Sequence, residues 1–432
     1  MSDSSQLMII VGTFNSPELF LFAFDPASET LRLHDTVAAL GKHSWLCLSD
    51  SSSHENLPRN LYATCWTDPP VVAAYAVTRD NRSASPSGQN QPMIKRIGQA
   101  RTRARSGFVH EYIAGGKRYL ASISGPSGEI WRLDSHTGDF DHERSNSSST
   151  TEELFTHIQD LDFVTGECYM RNGKETTIDN TKRLSGLQTS KSSQYGDFGG
   201  LRHGAHGIDF SPDGTIAFVP DIGRNCIWVY RVGAKDGCFE LLQQCKAPRS
   251  NDGPRHAWAH PNGKLIYSVQ EHSSMVDVFE VNESGIEWKQ AGRILPKGQS
   301  PEYFWADEVR LTPEVGGNAP EFLLASTRGL ETTTKGYVAT FKLNADGLFV
   351  ESGADTIEGC FPTDVWQTST SGGIANAIEP APQQYTAGRY HVALTDSEQG
   401  IFSILSIEAG RVREAARLQI EGKQFATAVW LV

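Results

Sequence analysis

Four residues in the second half of the chain could together bind and protonate a small anion: His206, Arg255, Glu271 and Arg328. A guanidinium group can hold a carboxylate through two parallel hydrogen bonds, and it does not lose its charge. An imidazole or a carboxyl group can transfer a proton near neutral pH when its surroundings shift its pKa. The combination predicts a site where a polyanionic small molecule is bound and one proton moves.

An internal repeat relates these residues to one another. The segments 206–230 and 255–279 can be aligned with an offset of 49 residues, which places His206 and Arg255 at equivalent positions. Each segment is expected to contain a strand, a Pro-Asp-Gly or Pro-Asn-Gly turn, a second strand, a polar turn and a third strand. A repeat of this length built from short strands is typical of a β-propeller.

The same strand–turn–strand unit recurs along the whole chain. The seven units are Ile9–Phe24, Leu61–Val77, Tyr119–Leu133, Gly207–Val232, Ala257–Val281, Phe322–Leu343 and Val392–Ile407. Gly and Pro cluster between the apolar runs, as turns require, and few segments have a helical period. We therefore predict an all-β fold, a single seven-bladed β-propeller that covers residues 1–432.

The two ends of the chain are predicted to share one blade. The last segment, 425–432, has the pattern of an innermost strand with no strands after it, whereas the first unit lacks such a strand. Pairing between them would close the ring and leave no unpaired sheet edge at the seam. Two polar segments, at about 79–107 and 141–200, do not fit the repeat, and we predict that they are loop insertions between blades.

The propeller geometry predicts that the four side chains meet. The innermost strand of each blade lines the central channel, and the second strand returns antiparallel beside it. His206 and Arg255 begin the innermost strands of the fourth and fifth blades. Glu271 and Arg328 end the second strands of the fifth and sixth blades, 57 residues apart. All four positions lie at the same end of the ring, and convergent polar groups at a channel mouth favour a ligand-binding site.

The remaining histidines nearby have simpler interpretations. The H-x-x-H spacing of His203 and His206 does not by itself indicate a metal, because a zinc site needs further ligands. His256, His260 and His272 fall off the shared repeat positions or on the opposite face, and we predict structural roles for them. We therefore expect neither a metal nor a cofactor in the site.

Composition restricts the partners and the compartment. A formal net charge of −12 argues against nucleic acid or an anionic membrane as a general partner. The seven cysteines are odd in number and form no C-x-x-C pair, which favours free thiols in a reducing compartment. No signal-peptide pattern is found, and no apolar run approaches the roughly 20 residues that span a bilayer. We expect a cytoplasmic protein with a small-molecule substrate; the sequence does not indicate its oligomeric state.

Several motifs resemble a known family. His206-Gly with its Ser-Pro-Asp-Gly turn, Gly253-Pro-Arg255 with its His-Pro-Asn-Gly turn, and Glu271 are similar to the seven-bladed lactonases that include bacterial 6-phosphogluconolactonases. A closer resemblance is to the fungal carboxy-cis,cis-muconate cyclases, and its motifs lie at 325–328, 335–343, 370–377, 395–400 and 428–430. It extends from about residue 203 to the end and is thinner before that. Ile374 departs from the pattern, since a polar residue is expected there near the mouth.

The resemblance implies a reaction that closes a lactone. One carboxylate of an unsaturated tricarboxylate adds across a C=C bond, and a proton is delivered to the adjacent carbon. Arg255 and Arg328 would neutralise carboxylates and stabilise an enolate-like intermediate without a metal. A carboxyl group beside two arginines is expected to have a lowered pKa, whereas a histidine beside Glu271 and a polyanion should have a raised pKa. Our hypothesis is that His206 donates the proton and that Glu271 orients it.

Two other functions remain open at this stage. The same residues could hydrolyse a sugar-derived or aromatic-derived lactone, with the His and Glu pair activating water. The propeller could also be a non-catalytic scaffold that presents its loops to a protein partner.

Overall fold

The computed structural model describes residues 6–49, 59–79, 92–141, 157–163, 168–169, 175–176 and 204–431. These residues form seven four-stranded antiparallel sheets and one two-stranded hairpin. The helical content of the described residues is one short 3-10 turn, Pro301–Tyr303. No helix in this part of the chain is long and apolar enough to cross a membrane.

The strands follow one another blade by blade. Blade 1 begins with β1 (Leu7–Thr13), β2 (Glu18–Asp25) and β3 (Thr30–Ala38). Blade 2 contains β4 (Leu46–Leu48), β5 (Arg59–Cys65), β6 (Val71–Arg79) and β7 (Pro92–Arg101). Blade 3 contains β8 (Phe108–Ala114), β9 (Lys117–Ile123), β10 (Ser127–Arg132) and β11 (Gln159–Asp162), and the hairpin β12 (Cys168–Tyr169) and β13 (Glu175–Thr176) follows it.

The second half has the same order. Blade 4 contains β14 (Asp209–Phe210), β15 (Ile216–Asp221), β16 (Cys226–Val232) and β17 (Phe239–Lys246). Blade 5 contains β18 (Pro254–Ala259), β19 (Leu265–Gln270), β20 (Met275–Asn282) and β21 (Gly285–Arg293). Blade 6 contains β22 (Phe304–Leu311), β23 (Phe322–Gly329), β24 (Tyr337–Lys342) and β25 (Asp364–Gln367). Blade 7 contains β26 (Ile378–Pro380), β27 (Arg389–Thr395), β28 (Ile401–Glu408) and β29 (Arg411–Gln419), and the chain ends with β30 (Phe425–Leu431).

The C-terminal strand closes the ring, as predicted. β30 pairs antiparallel with β1, so that Met8 lies opposite Leu431 and Val11 lies opposite Ala428. The sheet order in blade 1 is therefore β3-β2-β1-β30, with the last strand of the chain innermost. The seven-bladed all-β prediction and its mode of closure are confirmed.

The core lies between the blades. Because sheets pack face to face, the middle strands are covered on both sides, and every residue of β19 and of β23 is buried. The outermost strands have only one neighbouring strand, and β3 is mostly exposed along its length. Polar side chains of the innermost strands β18 and β22 are buried as well, and buried polar groups need hydrogen-bond partners.

The two segments predicted to be loop insertions, at about 79–107 and 141–200, contain strands. β7 pairs along the whole of β6, and β11 pairs with β10, so each is the outermost strand of its blade. An outermost strand is half exposed and therefore polar, which made these segments resemble loops. Within the two segments, residues 80–91, 142–156, 164–167, 170–174 and 177–200 lie outside the described residues.

A buried histidine in blade 2 gives the fold a pH dependence. His43 Nδ1 lies 2.7 Å from the carbonyl oxygen of Thr64, and His43 Nε2 lies 2.7 Å from the hydroxyl of Tyr75. A carbonyl can only accept, so Nδ1 carries the proton and Nε2 accepts from the tyrosine. Burial lowers the pKa of His43 from its ordinary 6.5 to about 4.

We expect the free energy of unfolding to fall as the pH drops from 6.5 towards 4, because only the unfolded chain protonates His43 in that range. At about pH 5 this group alone should cost about 2 kcal/mol, and above its unfolded pKa it should cost nothing. Urea unfolding of the wild type and of His43→Gln, at about pH 5 and at a pH above 6.5, would measure how much of the pH dependence of the stability comes from His43. His136→Gln, at an exposed position, is the control. An equal pH dependence in the wild type and in His43→Gln would contradict the assignment.

Candidate active site

Two neighbouring innermost strands carry a bulge at equivalent points. The pairing register shifts between Pro254 and His256 in β18, and between Ala306 and Glu308 in β22. A bulge breaks the alternation of a strand and re-aims its side chains. Each strand therefore presents two consecutive polar side chains to one pocket, Arg255 with His256 and Asp307 with Glu308.

Arg255 is the centre of the site. Its Nη1 lies 2.9 Å from His206 Nε2 and 2.8 Å from Glu271 Oε2. Its Nη2 lies 3.0 Å from Asp307 Oδ1, and its Nε donates to the main-chain carbonyl of Asp307 at 3.0 Å. Burial lowers the pKa of Arg255, but attraction to Asp307 and Glu271 more than offsets this and raises the pKa above its ordinary value. The guanidinium is therefore charged and fixed in orientation.

Arg328 approaches the same carboxylate from blade 6. Its Nε lies 3.7 Å from Asp307 Oδ1, and its guanidinium lies 5.1 Å from the centre of the Trp305 ring. Its Nη1 donates to the main-chain carbonyls of Gly373 and Ile374. Ile374 thus contributes its backbone to the site, which explains how an apolar side chain can stand where a polar one was expected.

All four residues that the repeat singled out come together at one end of the channel. Arg255 contacts His206 and Glu271 directly, and Asp307 joins it to Arg328. His206, Arg255 and Arg328 line a narrow pocket whose walls include Phe14, Trp45, Trp66 and Thr427. Glu271 is fully buried and is not among the described residues that line this pocket. Its carboxylate can therefore hold Arg255 in place from the side of the guanidinium that faces away from the pocket.

The surroundings of His206 differ from the expectation in two ways. Burial lowers the pKa of His206 well below its ordinary value, and repulsion from Arg255 and His256 adds to the effect. The raised pKa expected from the sequence is therefore not found, because that expectation depended on the charges of Glu271 and of a bound polyanion, and Arg255 lies beside both His206 and Glu271. In addition, His206 Nδ1 lies 3.0 Å from His256 Nε2, so both ring nitrogens already have partners. His256 contacts His206 directly, and Glu271 contacts Arg255, which in turn contacts His206.

The structure places the other histidines as follows. A structural role is predicted for His256, but the bulge in β18 turns its ring towards His206. His260 Nδ1 accepts from the main-chain N–H of Asn262 in the turn after β18. His272 Nε2 lies 3.6 Å from Glu271 Oε1. His203 lies outside the described residues.

Asp307 and Glu308 were missed by the sequence analysis. They lie in a strand whose eight residues are all buried, and whose first three residues, Phe-Trp-Ala, are apolar. A signal was present, because Asp307 follows Arg255 by 52 residues and occupies the corresponding position of the next blade. Extending the repeat alignment by one more unit would have found it.

Comparison with known proteins places the chain in a family. A family model described as "Lactonase, 7-bladed beta-propeller" matches residues 180–376. The chain is 32% identical over 429 residues to the muconate cycloisomerase 1 of Cutaneotrichosporon cutaneum, and 98% of each protein is covered. It is 26% identical over 238 residues to the carboxy-cis,cis-muconate cyclase of Neurospora crassa, covering 52% of this chain and 60% of that protein.

Solved structures show the same fold at lower identity. The periplasmic gluconolactonase of Pseudomonas aeruginosa superimposes with a TM-score of 0.66 and 17% identity, covering 99% of both chains. A protein from Lactobacillus plantarum superimposes with a TM-score of 0.64 and 15% identity, covering 99% of this chain and all of the other. The similarity to the cycloisomerase covers 98% of both chains, and the structure has the seven blades that the family model describes. The chain belongs to the seven-bladed β-propeller lactonase family, together with the muconate cycloisomerase and the carboxy-cis,cis-muconate cyclase.

Proposed function

We propose that this protein is a cycloisomerase that closes a lactone ring in a carboxymuconate-type substrate without a metal ion. The observation that carries the proposal is the pair of buried guanidinium groups, Arg255 and Arg328, on either side of Asp307 in a pocket that His206 also lines. Two relatives named for muconate cyclisation support the choice of substrate class.

The reaction is an isomerisation in which one proton is taken up and no water is consumed. An oxygen of one substrate carboxylate forms a C–O bond to an alkene carbon, and the π electrons move onto the adjacent carbon. Negative charge then spreads into the carboxyl group conjugated with that carbon, which gives an enolate-like intermediate. A proton bonds to the same carbon and completes the lactone. The nucleophile arrives ionised, so an acid is needed but no base.

The two arginines suit the charged parts of this reaction. A guanidinium beside the conjugated carboxylate stabilises the negative charge that develops there, and it is worth more in a pocket from which water is excluded. Asp307 lies between Arg255 and Arg328 and fixes their positions before substrate arrives. Glu271 holds Arg255 from the buried side.

His206 is the proton donor in this proposal. Because its Nε2 accepts a hydrogen bond from Arg255, which can only donate, the imidazole of the protein alone is neutral. The carboxylates of a bound substrate would raise the pKa of His206, so that binding is accompanied by uptake of one proton from solvent. That proton is then transferred from Nε2 to carbon.

The test is incubation of the protein, treated with a chelator, with 3-carboxy-cis,cis-muconate in water enriched in ¹⁸O. We expect a lactone of the substrate's own composition without ¹⁸O, detected by mass spectrometry. cis,cis-Muconate in a parallel reaction shows whether the third carboxylate is required. Turnover of preformed lactones alone, with ¹⁸O in the product, would replace the proposal by the hydrolase. No turnover of either class would favour the non-catalytic scaffold.

A further inference from the structure

Two imidazoles and a carboxylate that line the pocket form a hydrogen-bonded chain along its wall. His206 Nδ1 lies 3.0 Å from His256 Nε2, and His256 Nδ1 lies 3.0 Å from Glu308 Oε1. All three side chains are buried; His256 is 2% exposed and Glu308 is 1% exposed. His206 precedes the innermost strand of blade 4, and His256 and Glu308 lie in the innermost strands of blades 5 and 6, so the hydrogen bonds link three neighbouring blades.

The two ends of this chain fix the direction of every hydrogen bond in it. Arg255 can only donate, so His206 Nε2 accepts and the proton of His206 is on Nδ1. His206 Nδ1–H donates to His256 Nε2, which places the proton of His256 on Nδ1 as well. His256 Nδ1–H then donates to the carboxylate of Glu308. Each imidazole is therefore held in one tautomer by its neighbours.

Glu308 is suited to end the chain as an anion. Its Oε1 also accepts from the main-chain N–H of Val309 at 3.1 Å and from Arg310 Nη1. Burial raises the pKa of Glu308, but attraction to Arg310 and His256 outweighs burial and lowers the pKa below its ordinary value. Arg310 is itself held by Glu379, whose Oε2 lies 2.9 Å from Arg310 Nε.

The close approach of the two rings depends on a glycine. A Cβ atom on Gly207 would lie 2.8 Å from His256 Cδ2 and 3.1 Å from the main-chain oxygen of Arg255. Only a residue without a side chain leaves room for His256 at this point. The rings of Trp45 and Phe108, at 5.0 and 5.2 Å, cover His256 from blades 2 and 3 and add no charge.

We propose that His256 and Glu308 are positioning residues for the reaction. They hold the His206 ring with Nε2 towards Arg255 and the pocket, and the carboxylate of Glu308 stabilises the imidazolium that forms when His206 takes up its proton. This inference rests on the proposed function, in which His206 is the donor. The charged groups around the two rings include Arg255, Arg328, Arg310 and Glu308, and Asp307 lines the same pocket. Of the two carboxylates, Glu308 is the one that hydrogen-bonds directly to His256.

The first experiment does not depend on turnover. Imidazole ¹H–¹⁵N correlation spectra of the whole protein, with His206→Gln and His256→Phe used for assignment, report the tautomer of each ring. We expect His206 and His256 to be neutral near pH 7 and to carry their protons on Nδ1. A proton on Nε2 of either ring would overturn the inference even if the protein converts no muconate.

The second experiment distinguishes a role of Glu308 in positioning and charging His206 from a role in stability alone. In Glu308→Gln the hydrogen bond to His256 can be retained but the charge is lost. We expect kcat to fall about tenfold and KM to change less than about threefold, and the alkaline limb of the kcat–pH profile to move about one unit towards acid. The sign follows because an imidazolium without a nearby anion loses its proton at lower pH. His260→Gln, a buried histidine of the same blade, is the control and should leave the profile unchanged.

A third variant tests whether the two residues act as a unit. His256→Phe should lower kcat by about 10- to 100-fold. Adding Glu308→Gln should lower kcat little further, because His256→Phe has already removed both hydrogen bonds that connect His206 to Glu308. An unmoved alkaline limb in Glu308→Gln, in an enzyme whose wild type is active, would overturn this inference and leave the proposed function standing. An inactive wild type with the expected tautomers would overturn the proposed function instead.

Discussion

Replacing Arg255 by Gln is expected to lower kcat/KM on 3-carboxy-cis,cis-muconate by about 1000-fold, the range seen when one preorganised donor to a developing negative charge is removed. Arg255 contacts His206, Glu271 and Asp307 at once, so its loss also removes the group around which the site is built. Steady-state kinetics on the purified, folded variant would measure the change. Retention of activity to within about tenfold would contradict the role given to this guanidinium.

The same substitution should also destabilise the protein, and a control must separate the two effects. Glu271 would lose the guanidinium that it contacts and Asp307 would keep only Arg328, and breaking a buried ion pair in this way costs about 3–5 kcal/mol. Arg224 is a matched control, because it is fully buried and its Nη1 lies 3.3 Å from the buried carboxylate of Asp221, outside the described pocket lining. Arg224→Gln should lower the stability by a similar amount and leave kcat/KM of the folded protein unchanged. Equal losses of activity in both variants would indicate that stability alone is responsible.

The ring could be predicted from the sequence because its signal is repeated seven times. Each unit has Gly or Pro between its apolar runs, and the missing strands at the two ends fit one another, as the pairing of β30 with β1 confirms. The outermost strands were harder to predict. β7 and β11 pack against one neighbouring strand only, so their composition is determined as much by solvent as by the core.

The side chains that face the site could be predicted from the sequence only where successive residues of a strand alternate regularly between its two faces. His206, Arg255 and Arg328 were located by repeat position, and this needs no knowledge of which face a side chain occupies. The position of His256 in the site could not be predicted, because a bulge at Arg255 adds a residue to the strand and nothing in a single sequence marks such a bulge. Asp307 lies on the matching bulge in β22, and only its repeat position, 52 residues after Arg255, could have indicated it.

The second substitution with a large expected effect on turnover is His206→Gln, which tests whether His206 or Glu271 is the acid. We expect His206→Gln to lower kcat by about 100- to 10,000-fold with a much smaller change in KM. A glutamine can still accept from Arg255 and donate to His256, so the substitution tests the acid and not the hydrogen bonds. The measurement is the pair of kcat and KM values across the pH range, together with the uptake of protons on substrate binding, which should be lost in the variant.

Glu271→Gln is the natural comparison for His206→Gln, because it also replaces an ionisable group by a neutral amide. Glu271 is fully buried behind Arg255, at 2.8 Å from its Nη1, and can act on the substrate only through that guanidinium. We therefore expect a higher KM and a lower stability, with kcat reduced by about tenfold at most. If Glu271→Gln abolished turnover while His206→Gln kept most of it, the two roles would be exchanged. The acid would then be a carboxyl group that reaches the pocket only after Arg255 moves aside.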